Sequence, residues 1–474
     1  MNEWVKEWLE EQRLAGKKCL EIKMIQNKPY VYHSTSRYDP ETKKAKKVSK
    51  YLGRLDQKHG LIRKEDRLPA KTGINKISIH EYGNAAIIEE EIKEILPVLM
   101  NAFPNCYAEI YALVATRITG YVPLKRVGDL WSKMACSGNI QPNCDPKNLS
   151  TILHNIGLNR LSQQQVFSFL SSNNEQLIYD LSFIESYSPD ITFNENAYIS
   201  DGIYRYHHHI ALFCSRDNGL PVMIRSIPGS INDVSTLKLS LKEIDIHNKV
   251  LLLDRRFISE DNFEELLSRS IRFIIPLKRD STYYQTRIQL TGSFSYQSKL
   301  IHCGKKKIGD FTLFQFENED LALEEKKTLY SKFNSGDITR KELNLSLKKA
   351  GLVLFLTTVD LPEQEVYELY KSRDMVEKHF DTFKNELQAD KIYLRSNEAL
   401  FGHIFTSFIC LYLYSKILNR LKVAKLLSQI SPHDLLVKFS KVYKYRIGET
   451  QEISEVPKRV RDLARKLNYS VFPN

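Results

Sequence analysis

Residues 249–254 read KVLLLD: one Lys, four apolar residues and a carboxylate. A continuous apolar run of this kind suits a strand buried on both faces of a parallel sheet. A carboxylate at the carboxyl end of such a strand lies at the crevice where α/β sheets bind ligands. Residues 176–180, QLIYD, end the same way at Asp180. If the two strands are neighbours, Asp180 and Asp254 converge.

The flanking pattern predicts a mixed α/β sheet. YRYHHHIALFCS (204–215) and LPVMIRSIPGS (220–230) read as strands joined by a turn carrying Asn218 and Gly219. Helical spacing follows over 233–244 and again in SEDNFEELLSRS (259–270), and RFIIPLK (272–278) reads as a further strand. Residues 281–349 interrupt this order with short strands, TGSFSYQS and DFTLFQFEN, and a charged helical stretch over 324–349. Sheet character returns in GLVLFLTTV (351–359), then one helix is predicted from Pro362 to Asp390 and another over 397–422. Upstream, apolar residues three and four apart over 87–170 predict a domain of four to six helices, placed at 76–175. Residues 1–75 predict a short helix (3–14) and a small basic β-rich module, closed by a linker with Pro69, Gly73 and Asn75.

The chain has 474 residues, with 69 Lys and Arg against 57 Asp and Glu. That excess sits at the ends: residues 28–75 and 416–474 each hold 13 Lys and Arg against 5 Asp and Glu, leaving a mildly acidic middle. Such a distribution suggests two basic arms that grip a polyanion around a centre that holds cations, the bland alternative being two solvated surfaces. A composition of 42% hydrophobic and 27% charged residues excludes wholesale disorder. No apolar run reaches about 18 residues, and residues 404–418 are broken by Thr406, Ser407, Ser415 and Lys416, so no membrane span is expected. Nor is a secretory signal visible, and an intracellular protein is expected. Seven scattered cysteines without a CxxC pair indicate neither a disulfide framework nor a zinc ribbon. Neighbouring side chains of His207, His208 and His209 alternate between faces of a strand, so the three do not reach one ion.

The helix after Pro362 carries Tyr370, Arg373, Glu377 and Lys384 within an arc of roughly 60° at about 100° per residue. Leu369, Val376, Phe380, Phe383 and Leu387 form an adjacent apolar stripe. One stripe packs the helix while the other faces a site. Glu377 adds a third carboxylate, Arg373 and Lys384 suit phosphate oxygens, and Tyr370 supplies a further hydrogen bond. The plainer alternative is a solvated helix with an Arg373–Glu377 pair at i, i+4. Paired carboxylates without Cys or His neighbours suit a hard ion such as Mg²⁺.

The pattern Y-x2-R-x3-E-x6-K in YKSRDMVEKHFDTFK (370–384) resembles the signature around the third carboxylate of bacterial insertion-sequence transposases of the DDE type. The similarity extends through LIYDLSFIESYS (177–188), GLPVMIRSIPGSINDVSTL (219–237), LLLDRRFISEDNFEELL (251–267) and GHIFTSFICLYLYSKIL (402–418). It also touches YVYHSTSRY and VSKYLGRLD in the N-terminal module. The resemblance implies a ribonuclease-H-like catalytic domain, here 176–280 and 350–422. A β-rich insertion (281–349) falls between the second Asp and the Glu, and a basic helical region (423–474) follows. It further implies that Asp180, Asp254 and Glu377 are the catalytic carboxylates and bind two Mg²⁺ ions, with Mn²⁺ as a substitute. Tyr370, Arg373 and Lys384 would position DNA phosphates. The activity implied is cleavage at terminal inverted repeats and transfer of the freed 3′-OH to target DNA. A homodimer would act on double-stranded DNA, at a nucleoid-associated cytoplasmic location in a prokaryotic cell.

Three departures stand out. Arg256 occupies the place of the family's usual Gly two residues after the second Asp, where a long cation competes for a carboxylate. Pro228-Gly229-Ser230 replaces the usual Pro-Gly-Asn, and Ser182 stands where Thr is common. Asp190 and Asp201 compete with Asp180 for the first position; Asp201 precedes Gly202, as a turn residue does.

Overall fold

In a computed structural model of the chain, residues 2–39, 44–63, 77–136, 140–186, 188, 190–198, 204–229, 231, 233–447 and 450–472 are described. They divide into two compact units, Met1–Ser78 with Arg446–Gln451, and Ile79–Tyr445 with Glu452–Asn474. The first unit is built from helix α1 (Glu3–Leu14) and the strands β1 (Leu20–Ile25), β2 (Lys28–Asp39), β3 (Lys44–Asp56) and β4 (Gly60–Arg63). These pair in the order β1-β2-β3-β4, all antiparallel. Trp4, Val5 and Trp8 share one helical face and meet Val31, Leu55, Ile22 and Leu61 from the sheet, giving a small core.

Strand β5 (Ile77–Glu81) runs across the boundary at Ser78, and the second unit continues with helices α2 (Gly83–Ile92), α3 (Leu96–Ala102), α4 (Tyr107–Arg117), α5 (Leu124–Trp131), α6 (Pro146–Leu158) and α7 (Arg160–Ser171). Asp145 caps α6 and Asn159 caps α7, each accepting from backbone N–H groups of the first turn. Next come β6 (Gln176–Glu185), β7 (Glu195–Tyr198), β8 (Tyr204–Ser215), β9 (Pro221–Ile227), α8 (Asp233–Ser240) and β10 (Val250–Leu252). They are followed by α9 (Glu260–Ser268), β11 (Arg272–Pro276), β12 (Gly292–Tyr296), β13 (Lys299–Ile308), β14 (Phe311–Asn318), α10 (Glu319–Asn334), α11 (Arg340–Leu347) and β15 (Leu352–Thr357). The chain ends in α12 (Glu363–Lys371), α13 (Asp374–Asp381), α14 (Asn397–Val423), α15 (Pro432–Phe439), β16 (Tyr443–Ile447), β17 (Thr450–Ile453) and α16 (Lys458–Lys466).

Ten strands form one mixed sheet in the order β12-β13-β14-β15-β11-β10-β6-β8-β7, with β9 also on β8. Its centre, β6, β10 and β11, is parallel, and every other pairing is antiparallel. The strands of 281–349 are therefore not a detached module: β14 pairs with β15 along six positions and carries β13 and β12 outward on the same sheet. The charged stretch expected as a single helix is two, because Gly336, at φ +82°, ends α10 and the Thr339–Glu342 capping box starts α11. The helices of 83–171 share a continuous core with the sheet, running from Ile87 and Tyr111 through Phe167 to Ile178. The C-terminal region, read as helical, also contains β16 and β17.

Helix α14 is long and apolar enough to cross a membrane by length and composition, but it is almost wholly buried within this unit. It runs against α6, α4 and β9. At the α6 crossing two glycines let the backbones touch. A Cβ on Gly402 would lie 1.9 Å from the Leu153 carbonyl oxygen, and one on Gly157 would lie 1.7 Å from that of Glu398. Gly402→Ala is expected to destabilise the unit by about 3 kcal/mol or more, since overpacking against backbone has no soft escape. Gly128→Ala, whose added Cβ meets only ordinary contacts, should be neutral or mildly stabilising. Urea denaturation of both variants checks the contrast.

Candidate active site

Strand pairing decides the site. β10 lies parallel to β6 with Val250 beside Gln176 and Leu252 beside Ile178. Continuing that register by two residues brings Asp254 level with Asp180 on the neighbouring strand, and Arg373 contacts both carboxylates. Asp180 is buried within β6, which continues beyond it to Glu185, and Asp254 caps the 3₁₀ turn Arg255–Phe257 by accepting from the Arg256 N–H at 3.0 Å.

Two guanidinium groups stand between these carboxylates. Arg373 donates to Asp254, approaches Asp180 Oδ2 at 3.8 Å, and faces Glu377 Oε1 at 3.4 Å. Arg256 donates to Asp180 and to the Leu181 carbonyl at 3.1 Å. Burial pushes the Asp180 carboxyl above its ordinary pKa, and the charges of Arg256 and Arg373 pull against that rise. Burial also opposes the charge on Arg373, but Tyr370, Asp254, Asp180 and Glu377 overcome it and raise the pKa. All three predicted carboxylates thus meet on one arginine. The i, i+4 Arg373–Glu377 contact is present as part of that cluster, with Glu377 itself exposed.

The expected single helix after Pro362 is broken. Ser372 and Arg373 form a turn between α12 and α13, with Arg373, Met375 and Val376 N–H groups bonding three residues back, and residues Thr382–Glu386 widen into a π-helical turn. The Ser372 hydroxyl donates to the Leu369 carbonyl at 2.6 Å, the local competition by which Ser loosens a helix. Overwinding and underwinding act in opposite senses. Arg373 and Glu377 still reach the carboxylate cluster, while Lys384 donates to Ser182 Oγ at 2.8 Å and lies 4.7 Å from the Phe183 ring. Burial lowers the Lys384 pKa. The Tyr370 ring packs 4.5 Å from that of Phe355 and lies under the Arg373 guanidinium. His379 fixes α13 from behind, its ring nitrogens 3.2 Å from the Gly219 carbonyl oxygen and 3.3 Å from Ser415 Oγ.

A cavity of about 430 Å³ opens beside Asp254, Tyr370 and Arg373. Arg255, Arg279, Lys299 and Tyr284 line it, so the strands of 281–349 contribute to the surroundings of the site. The sequence reading missed this, because nothing local in 281–349 signals which strand it joins. It also missed Ser182 as the partner of Lys384. Asp190 is an exposed turn residue and Asp201 lies outside the described residues. The three histidines do not gather: His208 is buried against Asn194 at 3.1 Å, and His207 and His209 share the opposite face.

The stretch from β6 to α14 matches the transposase DDE domain over residues 177–413. The chain belongs to the DDE transposase family. The matched span contains Asp180, Asp254, Glu377 and the whole tyrosine-to-lysine signature. Membership implies phosphoryl-transfer chemistry, for which DDE transposases generally use a divalent metal. No curated protein matches the sequence. Among solved structures, the chain is similar to a piggyBac transposase synaptic complex with hairpin DNA, determined by cryo-electron microscopy. The two are 14% identical with a TM-score of 0.38, over 83% of this chain and 86% of that one.

Among the described residues, no group of three or more His, Cys, Asp or Glu side chains is arranged to hold a metal ion. The donor chemistry nevertheless fits a hard divalent ion: three carboxylates face one position, and that position is held by the cation of Arg373. Removing Arg373 would leave two mostly buried carboxylates without their shared counter-charge. In metal-free buffer Arg373→Ala is expected to lose about 3 kcal/mol of stability, and added Mg²⁺ to restore most of it. Denaturant titration with and without Mg²⁺ measures both effects; a variant as stable as the parent without metal contradicts the role given to Arg373.

Proposed function

We propose that this chain is the transposase of an insertion sequence. In this reading it binds terminal inverted repeats, cleaves DNA at the element end, and joins the freed 3′-OH to target DNA. The observation that carries the reading is the meeting of Asp180, Asp254 and Glu377 around Arg373 inside the matched DDE domain. The ten-stranded sheet would be a ribonuclease-H-like core, with 281–349 as its insertion and residues 1–75 as a DNA-binding module.

Asp180, Asp254 and Glu377 would hold two Mg²⁺ ions, or Mn²⁺ in their place. Bound there, divalent ions supply the charge that activates an attacking oxygen and stabilises the leaving one in an in-line displacement. The protein's own groups do the positioning. Arg373, released from the carboxylates, presents a planar fork to phosphate oxygens, and Lys384 presents a point charge anchored on Ser182. The Tyr370 hydroxyl is the remaining donor on the same side of the helix. Burial of Asp180 favours these interactions by lowering the local dielectric. Two DNA ends must be processed together, so the working species is a homodimer, acting on the nucleoid of a prokaryotic cell.

A second reading, a catalytically silent relative that retains DNA binding, is favoured by the Arg256 guanidinium on Asp180. Purified protein incubated with element-end duplex in Mg²⁺, beside Asp254→Ala and Arg256→Gly, separates the two. The transposase reading expects cleaved and joined products from the parent, and a loss of at least a hundredfold in Asp254→Ala, as for removal of a group central to charge stabilisation. Binding without cleavage by the parent, with cleavage gained in Arg256→Gly, establishes the silent relative.

A further inference from the structure

The first unit contains a feature that its basic composition alone does not explain. β1 pairs with β2 only as far as His33, with one further backbone bond from Ser34 to Cys19, and β4 pairs with β3 only from Gly53 onward. Beyond that point β2 and β3 continue as a pair, from Thr35 opposite Val48 to Asp39 opposite Lys44. Five facing pairs at about 3.4 Å per residue make a ribbon extending about 14 Å from the sheet. Residues 35–38 and 44–48 are exposed on both faces, including Tyr38 at 64% and Val48 at 47%. A two-stranded ribbon without a third strand or a covered face is marginal in water by itself.

Strand alternation sorts its side chains. One face holds the positions of His33, Thr35, Arg37 and Asp39 from β2, opposite Lys50, Val48, Lys46 and Lys44 of β3. The other carries Ser34, Ser36 and Tyr38 with Ala45, Lys47 and Ser49. The second face is internally satisfied: Lys47 pairs with Glu21 at 2.7 Å, Ser34 donates to Glu21 at 2.5 Å, and Ser34 and Ser49 share a hydrogen bond. On the first face, Arg37, Lys44, Lys46 and Lys50 have no ion-pair partner among the described residues. Four cations thus point one way from a narrow arm, with a hydroxyl and an apolar β-branched side chain between them.

We propose that this ribbon enters the major groove of double-stranded DNA, with Thr35, Arg37, Lys46 and Val48 toward the base edges. The inference rests on the transposase reading and adds to it the element and the face that read the DNA. Two strands about 4.8 Å apart make an arm that fits a groove about 12 Å wide and is too broad, with its side chains, for one about 6 Å wide. Arg37 has the fork that pairs with guanine O6 and N7, and Val48 and the Thr35 methyl suit the thymine methyl. Lys44 and Lys50, at the two ends of the row, are placed for the phosphates that border the groove.

The test uses the full chain and two probes: a duplex taken from the DNA beside the coding region, and an unrelated duplex of the same length. Fluorescence anisotropy over a range of salt is measured for the parent, an Arg37→Ala, Lys46→Ala double variant, and Lys47→Ala from the far face. The double variant should lose at least tenfold in affinity for the flanking duplex and most of its preference for that duplex over the unrelated one, while Lys47→Ala changes little. Methylation of guanine N7, which protrudes into the major groove, should block binding by the parent at discrete positions. Equal losses in Lys47→Ala and the double variant, or binding indifferent to N7 methylation, would overturn the ribbon's role while leaving the transposase reading standing. A parent protein with no affinity for either duplex would overturn that reading and the ribbon with it.

Discussion

Two carboxylates placed side by side on adjacent parallel strands, in surroundings that exclude most water, repel each other strongly unless a cation lies between them. The register of β10 on β6, continued past Leu252, sets Asp254 level with Asp180. The rest of the site answers it. Arg373 reaches in from the turn before α13, Arg256 from the 3₁₀ turn after Asp254, and Glu377 closes the outer side. The two arginines thereby supply the counter-charge that lets these carboxylates lie together.

Arg373 lies where the helix is irregular, in the turn between α12 and α13. A regular helix from Pro362 would have carried the same residues on one stripe, but its ends would have had to fit both the cluster and Ser182. The tight turn at Ser372–Arg373 and the wide turn at Thr382–Glu386 adjust the two ends separately. Behind them, α14 supplies a rigid backing through its close glycine contacts with α6, and His379 ties α13 to the Gly219 turn. Irregular backbone beside a packed, unstrained support is a common way for proteins to aim a few side chains.

Charge is arranged on a larger scale by the same logic. The described basic residues of 28–63 belong to a sheet and its turns whose hydrophobic core is only a few side chains deep, so most of its surface is available to solvent or a partner. At the other end, α16 buries Val460 and Ala464 while Lys458, Arg459, Arg461 and Arg465 remain exposed. The mildly acidic middle of the chain contains the carboxylate cluster.

Much of this was legible in the sequence. The apolar runs ending at Asp180 and Asp254 pointed to central strands, because a strand covered on both faces takes apolar residues in succession and these runs are short. The spacing of Tyr370, Arg373, Glu377 and Lys384 announced one helical face. The 74 residues between the two aspartates are also the register offset of β10 on β6, but that equality has meaning only once the strands are known to be neighbours. The sequence also signalled that Arg256 competes for a carboxylate, and it lies on Asp180; tertiary structure alone decided that Arg373 lies among the carboxylates, that the helix breaks at Ser372, and that β12–β14 extend the main sheet. Local sequence sets which residues prefer to be buried and how they repeat along one element. Which elements meet, and therefore which charges must be reconciled, depends on contacts between residues far apart in the chain, and those are fixed only when the whole core packs.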